Sequence, residues 1–99
     1  MNRREQMQQA LNAELERWSS MTVDELVEQL REEQNYQVSS GSQEYQFEVQ
    51  LLENTPRYIH VGIAVDDGRL PFLGVSMSTS FLREKTNPEP GFGPIAPTR

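Results

Sequence analysis

Residues 44 to 65 constrain the fold more than any other part of the chain. Apolar side chains stand at every second position, first Tyr45, Phe47, Val49 and Leu51, then Ile59, Val61, Ile63 and Val65. A side-chain period of two belongs to β-strands, so the stretch reads as two neighbouring strands that share one apolar face. Residues facing each other across a pair must lie on the same side of the sheet, so odd positions must pair with odd. The connection at Asn54-Thr55-Pro56-Arg57 is therefore expected to be a loop of three or five residues. Pro56 suits such a turn and would be awkward in a central strand.

The strands are expected at 35–39, 44–53, 58–66 and 75–82, with Ser40-Gly41-Ser42 as a turn and Asp66-Asp67-Gly68 as a strand end. In the fourth strand Val75, Met77, Thr79 and Phe81 alternate. Ahead of the strands lie two helical patterns. Met7, Leu11, Leu15 and Trp18 form one stripe and predict a helix over 4–18. Arg3 and Arg4 stand at the positive end of that helix's dipole, which favours fraying of its first turn.

The second helix is expected over 23–34. Thr22 and Glu25 make a T-x-x-E capping box, and Met21 and Leu26 have the spacing of a hydrophobic staple. Its inward face is Val23, Leu26, Val27 and Leu30. The fold class is thus α+β: two N-terminal helices packed on one face of a four-stranded antiparallel meander sheet. Residues 1–85 are expected to form one domain. Residues 86–99 hold four of the six prolines and are expected to be a disordered C-terminal tail.

The 99 residues carry a net charge of −6. The charge divides as −4, −3 and +1 over residues 1–34, 35–82 and 83–99. No basic stripe exists to neutralise phosphates, which argues against nucleic acid as a partner. No apolar run has the length of a bilayer span, and no apolar segment follows Arg3 and Arg4, so neither a membrane span nor a secretory leader is expected. With no cysteine in the chain, disulfides, thiolate chemistry and Cys-type zinc sites drop out. A cytoplasmic protein is the expectation.

Chemistry-bearing residues are few. His60 is the one histidine and occupies an even position, pointing away from the helices. If Val65 pairs with Val75, His60 faces Ser80, with Glu48 and Ser78 nearby. A Ser–His–Glu set needs an oxyanion hole and a recess as well, and no motif supplies them. The plain reading is an exposed strand histidine. Asp66 and Asp67 with Glu44 or Glu53 lack calcium-loop spacing, and Asp-Asp-Gly is what a turning strand end looks like. No phosphate loop, G-x-S-x-G or H-E-x-x-H is present. The expectation is no catalytic residue, no metal and no cofactor, hence no enzyme.

Two features exceed a purely structural account. Gly62, Ala64, Ser76, Ser78 and Ser80 are small residues on the even face of strands three and four, where another surface could approach closely. The alternative is an ordinary polar sheet face. Leu70-Pro71-Phe72-Leu73 is an apolar run in a connection, either folded over the core edge or exposed as an anchor. Candidate binding residues are therefore His60, Gly62, Ser78, Ser80, Leu70, Phe72 and Leu73. They suit a protein-interaction or regulatory domain, with a protein partner or a homodimer formed at a strand edge. The other reading is a small-molecule site between helices and sheet, lined by Trp18 and Tyr36. In shape, the order of helix and then antiparallel strands loosely resembles secretion-chaperone-like domains. No motif carries that likeness, and the helix expected between the later strands has no counterpart.

Overall fold

The computed structural model describes residues 2–68 and 76–85. The elements follow in the order α1 (Arg3–Ser19), α2 (Val23–Gln29), β1 (Gln34–Ser40), β2 (Gln43–Asn54), β3 (Tyr58–Asp66) and β4 (Ser76–Glu84). The four strands form one antiparallel sheet in the order β1-β2-β3-β4. The fold is α+β, with a meander sheet. The expected tail at 86–99, the run Leu70–Leu73 and Val75 lie outside the described residues.

The alternation sets the core. Tyr45, Phe47 and Val49 of β2 and Ile59, Val61, Ile63 and Val65 of β3 are all buried. They meet Met7, Ala10, Leu11 and Trp18 of α1 and Leu26 and Leu30 from the second helical segment. Each such side chain contributes about 1.5–3 kcal/mol on burial, before the entropy of ordering opposes it. In β1 the even positions Tyr36 and Val38 face the core, because Tyr36 pairs with Phe47 and Val38 with Tyr45. The turn between β1 and β2 is closed by Gly41 at φ +66°, a left-handed conformation that glycine adopts without a Cβ penalty.

Four local readings are corrected. The first turn of α1 is capped, not frayed. The Glu5 amide donates to Asn2 Oδ1 at 2.8 Å and the Asn2 amide donates to Glu5 Oε1 at 3.2 Å. This capping box outweighs the unfavourable placement of Arg3 and Arg4. Helix α2 ends at Gln29 rather than 34. The sheet claims Gln34 as the partner of Val49, and the Gln34 side-chain amide donates to the Gln29 carbonyl at 2.9 Å, closing the helix end.

The third correction concerns the β2–β3 connection. Three residues separate the two strands, but the innermost partners Asn54 and Ile59 enclose four. An even loop places odd opposite even, and a β-bulge at Leu52 restores the match, so that Leu51 pairs with Val61. The parity argument holds for the core, and the bulge is what satisfies it. Fourth, Val65 pairs with Met77 rather than Val75. The two-residue slip preserves which face each side chain takes. It also carries Arg83 into the ladder opposite Ile59. There the Arg83 guanidinium donates to the Ser19 and Met21 carbonyls at 2.7 and 2.6 Å, binding the last strand to the joint between the helices.

Candidate functional site

The face of the sheet turned away from the helices is built by the residues that alternate with the core. Across its middle run three cross-strand rows: Gln50, Gly62 and Ser80; Glu48, Ala64 and Ser78; Gln46, Asp66 and Ser76. Small side chains in β3 and β4 leave two shallow depressions there. One of about 530 Å³ is lined by Gln50, Leu52, Gly62, Ala64 and Ser80 among others. The other, about 350 Å³, lies toward Gln46, Asp66 and Ser76. Glu48, Ala64 and Ser78 border both.

The bulge shapes one end of this face. An extra residue turns both Leu52 and Glu53 outward. Leu52 folds over β3, and a Cβ placed on Gly62 would stand 2.9 Å from Leu52 Cδ1. The leucine thus rests on the bare backbone of Gly62, and a larger residue there would displace the Leu52 side chain rather than the sheet. Leu52 remains 48% exposed, and Leu82, opposite His60, is 60% exposed. Among the described residues these are the large apolar side chains left open to solvent.

His60 lies on this face, half-buried between Leu82 of β4 and Glu53 of β2. Its Nδ1 is 3.7 Å from Glu53 Oε1, and the Tyr58 hydroxyl donates to that oxygen at 3.2 Å. The hydrogen bond to Glu53 and the charge behind it push the Tyr58 phenol above its ordinary value. The expected neighbourhood of His60 is thereby revised. Ser80 faces Gly62, not His60. The row holding Glu48 and Ser78 crosses β3 at Ala64, four residues from His60 and so about 13 Å along the strand. The structure does not bring those three side chains together.

Acidic side chains stand along this face, and Glu48 and Asp66 line the depressions. Glu44, Glu48, Glu53, Asp66 and Glu84 all occupy outward positions of the strands, and no Lys or Arg does among the described residues. Glu33, just ahead of β1, comes within hydrogen-bond reach of Glu48. That bond and the like charge of Glu33 raise the Glu48 carboxyl above its ordinary range, with smaller contributions from desolvation and Asp66. Asp66 Oδ1 also accepts the Gly68 amide at 2.7 Å, and Asp67 pairs with Arg3 of α1 at 3.0 Å. The aspartate pair thus closes the strand end and anchors the first helix.

Trp18 and Tyr36 are tied to each other between α1 and the sheet. Trp18 Nε1 donates to the Tyr36 hydroxyl at 2.8 Å, and that hydroxyl donates to Glu14 Oε1 at 2.7 Å. Arg17 donates to the same carboxylate oxygen at 3.0 and 3.2 Å, stacking over both the Trp18 and Tyr36 rings. Tyr36 in turn stacks on Phe47, with centroids 5.7 Å apart. Burial pushes the Tyr36 phenol above its ordinary value, and the bond to Glu14 adds to this. Sequence reasoning missed Glu14. It lies four residues before Trp18 and three after Leu11, on the apolar stripe, and that position is the signal that would have found it.

Among the described residues no group of three or more His, Cys, Asp or Glu is placed to hold a metal ion. None of their helices is long and apolar enough to cross a membrane. Comparison with protein-family models, with curated proteins and with solved structures yields no match.

Proposed function

We propose that this chain is a non-catalytic protein-interaction or regulatory domain of the cytoplasm, docking a protein partner on the outer face of its sheet. The observation that carries the reading is the pair of exposed leucines. Leu52 and Leu82 lie at one end of a face whose floor is Gly62, Ala64, Ser78 and Ser80. Apolar side chains beside a low floor give a partner both something to bury and room to approach.

Size supports a modest interface. Four strands about 4.8 Å apart and about nine residues long span about 600 Å² of flat sheet, somewhat below the usual contribution of one partner. The carboxylates around the face favour a protein over nucleic acid, whose phosphates they would repel. His60 enters this reading as a contact residue. The open backbones of β1 and β4, the two edge strands, leave a homodimer as the competing form of the same activity.

The test is to follow the backbone amides of ¹⁵N-labelled protein while adding cell extract. Broadening confined to Gly62, Ala64, Ser78, Ser80 and Leu82, and abolished by Leu52→Ser with Leu82→Ser, is the expected result. Broadening centred on the helices, or none, overturns the proposal. A sedimentation coefficient that rises with protein concentration, together with changes along β1 or β4, would replace it with edge-to-edge self-association.

A further inference from the structure

Resting on that docking face, we infer that its partner is a cationic segment carrying apolar side chains, its Lys or Arg meeting the Glu33–Glu48–Asp66 group while its apolar residues cover Leu52 and Leu82. The sign of the charge comes from the strands themselves. Five outward carboxylates stand on them with no Lys or Arg among them in the described residues, so the field over the face is negative from β2 to β4. The cations whose contacts are described are engaged elsewhere. Arg17 lies on Glu14 and the aromatic rings, Arg31 on Glu28, Arg83 caps the helix joint, Arg3 holds Asp67 and Lys85 Nζ reaches Asn54 Oδ1 at 2.7 Å.

A second copy of the chain is a poor occupant of this face, because it would bring the same carboxylates against themselves. Glu48 shows that the repulsion is already felt within one molecule. Glu33 and Asp66 flank it, and the side-chain amide of Asn35, its partner across the sheet, is given to Glu33 at 3.3 Å. An ammonium or guanidinium group seated over this row relieves that repulsion. The two leucines lie near the bulge, four residues along their strands from the row of Glu48 and Ser78 and with Glu53 and Glu84 beside them, so the apolar contact sits toward one end of the trough and the Glu33–Glu48–Asp66 group toward the other. An extended segment that presents basic side chains toward one end of its sheet-facing side and apolar ones toward the other matches this arrangement, since alternate residues of a strand point to opposite faces.

The probe is a short synthetic peptide with a Lys-rich half followed by a Leu-rich half (Lys–Leu), with Lys–Ser and Glu–Leu peptides of the same layout as controls, titrated into the full chain. The Lys–Leu peptide is expected to shift the Gly62, Ala64, Ser78 and Ser80 amides. Glu48→Gln should weaken it by about two- to fivefold, the scale of one exposed ion pair, and Leu82→Ser by up to about tenfold. Raising the salt from about 50 to about 500 mM should weaken it further. With the peptide bound, the Glu48 carboxyl should titrate closer to its ordinary range, a change that packing alone would not produce. Equal shifts over the helices, or equal binding of the Lys–Ser peptide, overturn the inference. Binding of the Glu–Leu peptide at the same amides also overturns it, while leaving the docking face itself in place. Silence of that face toward all three peptides and toward extract removes the docking reading together with it.

Discussion

Single side chains carry much of the specificity of this small domain. The Tyr36 hydroxyl accepts from Trp18 and from Arg17 and donates to Glu14, so three groups of α1 depend on one oxygen of β1. Tyr36→Phe leaves the ring stack on Phe47 but strips a partner from the buried indole N–H and from the Glu14 carboxylate. A loss of about 1–3 kcal/mol is expected in urea unfolding, with an unchanged m-value. Glu48 should act in the opposite sense. Its folded carboxyl lies above the ordinary value of 4.5, so the folded state holds the proton more tightly. Its contribution to stability is therefore fully present below that ordinary value and is lost as pH rises through the higher, folded one. Glu48→Gln should match the parent chain below pH 4.5 and exceed it in stability at neutral pH, as followed by thermal melts across that range. A variant that is less stable at neutral pH would show that Glu33 and Glu48 attract through a bridging group instead.

At the scale of elements, the bulge is the most consequential irregularity. Without Leu52, Glu53 would still pair with His60 and Asn54 with Ile59, while Leu51 kept Val61. Deleting Leu52 should therefore leave a regular ladder and an intact core, within about 2 kcal/mol of the parent stability. Deleting Gly62 instead moves half of β3 to the wrong face of both its neighbours, and that chain should not fold. Circular dichroism and near-ultraviolet spectra of the two deletions would separate these outcomes. The bulge also marks where legibility in the sequence stops. The alternation from Tyr45 to Val65 reveals the strands, the buried face and the outward placement of His60, Gly62 and Ala64, because period and parity are properties of one strand. It cannot reveal how one strand slides along another by two residues, since such a slip preserves parity. So the partners of His60, and with them Glu53 and Leu82, had to come from the structure. The early end of α2 has the same origin: Gln34 is claimed by a strand that lies distant in sequence.

On the scale of the whole molecule, helix and sheet are joined at two corners. Arg3 meets Asp67 at one end of α1, and Arg83 caps the carbonyls of Ser19 and Met21 at the other. Replacing Arg83 by Met keeps most of the aliphatic stem and removes the charged donor. A loss of about 1–3 kcal/mol is expected, accompanied by faster hydrogen exchange along β4 and at the α1–α2 joint but not in β2. Uniform acceleration across the sheet would mean that Arg83 supports global rather than local stability. The outer face was legible only as a row of small residues. Its leucines and its acidic surround became a site when the register put Leu82 beside His60 and the bulge laid Leu52 over Gly62. The Arg83 contact bears finally on the order in which the chain can mature on a ribosome. Helices α1 and α2 leave the tunnel before the strands, yet α1 lies against β3 and β4, and the Ser19 and Met21 carbonyls at the helix joint await a guanidinium made 62 to 64 residues later. Until that arginine emerges, the apolar stripe of α1 can meet the core residues of β2 and β3 but not β4. Closure at the helix joint therefore waits on β4, the last strand of the sheet to be made.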